Sequence, residues 1–391
     1  MPIINRIADL HDEVTAWRRD IHENPELLFD VHRTAGVVAE KLRDFGVDEV
    51  VEGIGQTGVV GVIRGRGNGS GKVVGMRADM DALPIDEKTG LPHASKVPGK
   101  MHACGHDGHT AMLLGAAKYL SETRNFDGTA VMIFQPAEEG GGGGNEMVKD
   151  GLMERFGVQQ VFGMHNAPGI PVGTFAIRPG PTMAATTQFT IDIVGKGGHA
   201  AKPHDCIDTT LVAAQLMQGV QSIVARNVDP IESAVLSITS LHTGGDAFNV
   251  IPQTVHMKGT IRTLKDEVRD VVKTRFQAMA DGLAAAFDAK IDLQFLGGYP
   301  VTVNSEAETA FAAGVAETVA LEDGVDQNQP PLMGGEDFSY MLNERPGAMI
   351  WLGNGETQMV HHPEYDFNDE AIPYGVSFWA KLAETAMPAG E

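Results

Sequence analysis

The stretch TAVMIFQPAEE (129–139) decides how the fold is read. Its first part is an unbroken run of Val, Met, Ile and Phe. Such a run suits a strand buried on both faces, as in a parallel sheet. The run then breaks at Pro136 and delivers two adjacent carboxylates, Glu138 and Glu139. The same design recurs along the chain. VVGMRA (73–78) leads into Asp79 and Asp81, QVFGM (160–164) into His165, and AMIWLG (348–353), through a loop, toward His361. Helical segments such as Thr110 to Glu122 lie between these runs, and that alternation predicts an α/β fold. Open α/β sheets bind ligands beyond the carboxyl ends of their strands, so side chains distant in sequence can meet in one cleft.

Outward from the sheet, Ile7, Leu10, Val14, Trp17 and Ile21 recur at helical spacing and predict one amino-terminal helix. A second helix is expected over about 34–45, stopped by Gly46. Between about Thr186 and Leu296 the pattern changes. It reads as strand 187–194, helix 208–226, strands 233–241 and 254–261, helix 266–287 and strand 290–295. That βαββαβ order is the ferredoxin-like unit. Turn-rich RPGP (178–181) precedes it and GGYP (297–300) follows it, like paired hinges. The expected architecture is therefore a catalytic α/β domain over 1–184 and 298–391, with a mostly parallel sheet sandwiched by helices. An α+β lid or dimerisation domain is inserted at 185–297. The five glycines of Gly140 to Gly144 are not followed by a Lys-Ser/Thr pair, which argues against a phosphate loop. They read as a turn that lets backbone pass close to a crowded site.

Composition narrows the function. With 52 acidic and 30 basic residues the formal charge is −22, which would repel nucleic acid and anionic membrane surfaces. A 391-residue chain with 42% hydrophobic and 21% charged residues can bury a full core. Two cysteines, Cys104 and Cys206, make no disulfide framework. The amino terminus MPIINRIADLHDEVTAWRRD does not resemble a signal peptide, and no segment is apolar enough to span a membrane. The expectation is a soluble cytoplasmic protein.

The densest chemistry lies in MHACGHDGHT (101–110). If the chain is extended there, Cys104 and His106 face the same side. Thiolate and imidazole together suit a borderline-soft divalent metal, although a buried, inert cysteine beside capping histidines would also fit. Adjacent carboxylates such as Glu138 and Glu139 point apart, so one could bind a metal while the other faces a metal-held water. A solvated acidic loop is the plain alternative. His165 and the His361-His362 pair, stiffened by Pro363, add imidazoles. Five donors are too many for one tetrahedral catalytic zinc and fit two ions with a bridging group.

RRDIHENPEL (18–27), MRADMDALP (76–84), MHACGHDGHT, QPAEEGGGG (135–143), GMHNAPG (163–169), GKGGHAAKPH (195–204), FNVIP (248–252), MGGEDFS (333–339) and HHPEYDFND (361–369) follow in order. The chain resembles the aminoacylase, hippurate hydrolase and indole-3-acetyl-amino-acid hydrolase branch of the dinuclear metallopeptidases related to carboxypeptidase G. The resemblance covers nearly the whole chain. It implies Cys104 as bridging ligand, His106, Glu139 and His165 as further ligands, and His361 rather than His362 as the last. It implies Glu138 as general base. Asp81 reads as a residue that orients a ligand. His199 matches a histidine that reaches the substrate carbonyl, sometimes from a partner subunit, and Asn249 a substrate-contacting amide. Glu336 resembles a residue near the metals, while GGED would equally serve as turn and helix cap. The chain departs from the pattern at His32, where an acidic residue is frequent, and at Cys206, where glycine is usual.

The implied activity is hydrolysis of the amide bond of N-acyl amino acids by a metal-bound hydroxide, with two divalent ions per subunit. Zinc, manganese, nickel and cobalt all suit the donors. The implied partner is the small-molecule substrate, and sheet edges of the insert could pair two copies. Three rivals stand beside this reading. A dipeptidase or carboxypeptidase would share the centre, because substrate choice lives in the pocket. A Cys104–His106 thiol hydrolase would not need the other ligands. A non-catalytic metal-binding or scaffold protein would have no use for Glu138.

Overall fold

The computed structural model describes residues 3–67 and 69–390. It contains two compact units. One comprises the residues up to Gly180, Val303–Pro330 and those from Asp337 onward; the other comprises Pro181–Thr302 and Pro331–Glu336. The second unit thus extends slightly beyond the expected 185–297 on both sides and takes in a short return segment, Pro331–Glu336, distant from it in sequence.

Among the described residues, the first unit is built on an eight-stranded sheet. The order is Glu49–Ile54, Gly58–Arg64, Thr129–Gln135, Val73–Asp79, Gln160–Pro168, Gly347–Gly355, Phe175–Ala176 and Val325–Asp326. The four strands in the middle run parallel. Antiparallel strands extend one side, beginning with Gly58–Arg64 against Thr129–Gln135. The apolar runs that predicted doubly covered strands are buried along almost their whole length. Helices His11–Glu23, His32–Asp44, His106–Thr123 and Ile372–Ala386 contribute to the same core.

Two local expectations are corrected. The single amino-terminal helix is two, Asn5–Asp9 and His11–Glu23, although the stripe Ile7, Leu10, Val14, Trp17 and Ile21 is buried as a set. The helix expected from Thr110 begins already at His106. Gly105 precedes it at φ +90°, so Cys104 and His106 do not share an extended segment.

The second unit has a four-stranded antiparallel sheet, ordered Ala234–Thr243, Thr254–Thr263, Ala185–Val194 and Lys290–Phe295. Helices Thr209–Asn227 and Asp266–Phe287 pack on it through Val212, Leu216, Val220, Val272 and Phe276 against Phe189, Ile191, Val255 and Met257. Asp208 caps the first helix by accepting the Thr210 and Leu211 amides, which satisfies two of its orphan donors. The βαββαβ order holds, with an added ribbon that pairs Gly198–His199 with Val250–Ile251. No helix among the described residues is long and apolar enough to cross a membrane.

Candidate metal centre

Parallel pairing of Val73–Asp79 with Thr129–Gln135 puts the two following loops side by side. There the Asp81 carboxylate clamps the acidic pair. It accepts the backbone N–H of Glu138 at 2.9 Å and of Glu139 at 3.1 Å. The turn that presents them is tight: Ala137 has φ +55°, unusual for a residue with a β-carbon. At Gly143 a β-carbon would lie 1.7 Å from the Pro136 carbonyl oxygen, so the glycine run serves close approach. Glu138 is only 6% exposed, and its Oε1 accepts the Asp337 N–H at 3.4 Å.

Of five groups of metal-type donors among the described residues, three hold the expected ligands: Cys104–His106–His165, Cys104–Glu139–His361, and His106–Glu138–Glu139. Within each, the donor atoms lie within 4.8 Å of one another. Cys104, His106 and Glu139 are shared between groups, so the five residues expected as ligands form one neighbourhood. Cys104 Sγ is 3.4 Å from His165 Nε2, and Glu139 Oε1 is 3.2 Å from His361 Nε2. The loop also separates the two histidines. His361 donates its backbone N–H to the Ala103 carbonyl at 2.7 Å, whereas His362 Nδ1 accepts the Glu364 N–H in its own turn at 3.1 Å.

Behind the donors is a layer that sequence reasoning missed. Asp79 had been noted only as a strand-end acid. Its Oδ1 accepts His109 Nδ1–H at 2.7 Å, and His109 Nε2 in turn accepts the Asn166 N–H at 2.9 Å. With both ring nitrogens engaged, His109 buttresses the centre rather than offering a donor. Its place one turn after His106 on a buried helix face was the available signal. Arg77, fully buried, donates to Asp79 Oδ2 at 2.7 Å, Gln135 Oε1 at 2.8 Å and Asp337 Oδ1 at 3.1 Å. Asp337 Oδ2 accepts the Gly144 N–H at 2.8 Å. One guanidinium therefore spans two buried carboxylates, on the histidine side and on the Glu138 side. Burial opposes the charge of Asp79, but His106, Arg77 and His109 outweigh it and hold its carboxyl well below the usual range.

Protonation tests whether this donor set suits cations. Burial pushes the Cys104 thiol well up, and Glu139, Glu138 and Asp79 add to that. A thiolate here needs compensating positive charge. Burial, with His109 and His106 nearby, lowers His165 to about 3 and leaves a neutral imidazole. His106 is different: burial opposes its charge, yet Asp79, Asp81 and Glu139 raise it to about 10. Those carboxylates attract a proton where a cation would also be attracted, so metal and proton compete for one position. His106 Nδ1–H donates to the Asp81 carbonyl at 2.8 Å, which leaves Nε2 as the free lone pair. His106 Nε2 is buried without a hydrogen-bond partner, while Glu139 Oε1 faces the His361 ring. An unpartnered buried imidazole nitrogen, with a thiol and carboxylates converging on the same place, fits divalent metal ions.

In the second unit, His199 and Asn249 are exposed neighbours. His199 pairs with Val250 across the ribbon, and the Ala200 N–H donates to the Asn249 carbonyl at 3.0 Å. Glu336 is buried, and its carbonyl accepts from Thr302 Oγ1 at 3.3 Å.

The model of peptidase family M20/M25/M40 matches residues 75–385. The chain belongs to that family. This M20-family chain is 44% identical over 383 residues to a hippurate hydrolase of Campylobacter jejuni, covering 98% of this chain and 99% of that one. It is 39% identical over 386 residues to an N-acetyl-L-cysteine deacetylase of Bacillus subtilis, covering 98% and 91%. A crystal structure of a dinuclear metal-binding M20-family peptidase from Bacillus subtilis superposes with a TM-score of 0.83 at 36% identity, covering 97% and 99%. The fold is thus that of an M20-family hydrolase, and its donor clusters are of the kind that holds divalent metals.

Proposed function

We propose that the protein is a metal-dependent amidohydrolase that cleaves the amide bond of N-acyl amino acids of the hippurate type. The observation that carries this reading is the convergence of Cys104, His106, Glu139, His165 and His361 beside a clamped Glu138. The likeness to a hippurate hydrolase and an N-acetylcysteine deacetylase supports the substrate class. In this reading Cys104, His106, Glu139, His165 and His361 would hold two divalent ions drawn from zinc, manganese, nickel or cobalt. When bound, such ions lower the pKa of a water and polarise an amide carbonyl.

The chain's own residues do the rest. Glu138 takes a proton from the attacking water as its oxygen bonds to the amide carbon. It returns that proton to the nitrogen as the C–N bond breaks, so the products are a carboxylic acid and a free amino acid. Asp81 aims both carboxylates through their backbone amides. His199 donates to the developing oxyanion and Asn249 contacts the substrate, with the second unit acting as a lid. The exposed edge strand Ala234–Thr243 is where a second copy would pair.

Glu138→Ala should keep its metal and lose about 10²–10⁴-fold in turnover, measured by elemental analysis and release of the free amino acid from benzoylglycine. Near-normal turnover would remove Glu138 from the role. A panel of N-acyl amino acids against free dipeptides checks the substrate class, and preference for dipeptides would replace this reading with a dipeptidase.

A further inference from the structure

Asn166 follows His165 directly and is 2% exposed. It uses each of its polar groups, and they reach different parts of the centre. Its backbone N–H donates to His109 Nε2 at 2.9 Å. Its carbonyl accepts His165 Nδ1–H at 2.7 Å, which leaves Nε2 facing Cys104 Sγ at 3.4 Å. Its side-chain Nδ2 donates to the Cys104 carbonyl at 2.6 Å and lies 3.1 Å from His109 Nε2. Its Oδ1 accepts the Tyr365 hydroxyl at 2.8 Å. Tyr365 is fully buried and belongs to the HHPEYDF turn that carries His361.

The fit around this residue is close. A β-carbon on Gly105 would lie 2.2 Å from Asn166 Nδ2 and 2.6 Å from Tyr365 Oη. Gly105 is therefore needed twice, for its φ of +90° and for the space it leaves. The chemistry is equally restrictive. The side chain must donate to a carbonyl at one end and accept from a phenol at the other. A carboxylate of the same shape has no donor and would turn an acceptor toward the Cys104 carbonyl.

We propose that Asn166, completed by Tyr365, is the positioning residue that holds the segments of Cys104, His165 and His361 in one register. The claim rests on the reading of those residues as a metal centre. Asn166 touches no substrate in this account; it acts through the ligands it orients.

The test uses the full chain loaded with cobalt(II), in wild type, Asn166→Asp and Tyr365→Phe. Three quantities are read: cobalt affinity by chelator competition, the thiolate-to-cobalt charge-transfer band in the near ultraviolet, and the melting temperature without metal. Asn166→Asp should weaken cobalt binding by about tenfold or more and diminish the thiolate band. Tyr365→Phe keeps the ring volume and loses one hydrogen bond, so it should move both readouts the same way by about three- to tenfold. If Asn166→Asp does not fold, Tyr365→Phe decides alone. Affinity and band within twofold of wild type would overturn the proposal. So would a lowered metal-free melting temperature with both readouts unchanged, which is what a purely structural role gives. A wild type that binds cobalt with no thiolate band would instead remove Cys104 from the centre, and this inference with it.

Discussion

The two units hold most of their proposed functional residues differently. In the first, Glu138 is 6% exposed and Cys104 is 7% exposed, and most of the neighbouring donors lean on a further layer, with His361 the exposed exception. Asp81 clamps Glu138 and Glu139, Asn166 ties Cys104 to His165, and Asp79 fixes His109. In the second, His199 and Asn249 are exposed on a ribbon whose strands are two residues long. The contrast teaches a division of labour. Most of the groups proposed to hold ions are set in place by buried hydrogen bonds, because misplaced buried charge is costly. The groups proposed to meet the substrate sit exposed, where movement is cheap.

The sharpest attack on this contrast is Cys104→Ala. It removes the donor shared by two of the clusters and should abolish both stoichiometric metal binding and hydrolysis, read by elemental analysis and product release. A variant that kept two metal equivalents would break the account of the buried side. Next comes His199→Ala. Loss of an oxyanion donor should lower kcat by about 10²-fold, while metal content and melting temperature stay as in wild type. Loss of metal in that variant would erase the distinction between the units. Asp81→Asn should do the reverse, weakening metal affinity by about tenfold before any change in substrate KM.

The smallest effect concerns the support of the His106 helix. His22 donates to Asp107 Oδ2 at 2.8 Å. Burial opposes the His22 charge, but Asp107 and Glu87 outweigh it and raise the group to about 9. A folded value above the unfolded one, near 6.5, means the stabilisation is full below about pH 6.5 and fades as pH rises through 9. The melting temperature of wild type should therefore fall between pH 6 and pH 9.5 by a few degrees more than that of His22→Gln. Parallel curves would detach His22 from the support of this helix.

Much of this was legible because burial leaves a local mark. The runs before Glu138, Asp79 and His165 announced doubly covered strands, and the strand ends announced where donors would gather. The second layer left no such mark. Asn166 looks like any polar residue after a strand, and its value comes from Tyr365 and Cys104, far away along the chain. Arg77 sits inside an apolar run, where a charge reads as an interruption until two carboxylates are seen around it. The helix start at His106 was misjudged because a left-handed glycine can start a helix without a capping side chain.

Periodicity and residue chemistry, which are properties of neighbouring residues, determined the α/β class, the βαββαβ insert and the kinds of donor available. The folded chain alone decided which atoms those donors turn inward and that Asn166 links three segments. Hydrogen bonds are short and directional, so their partners exist only once strands separated in sequence lie side by side.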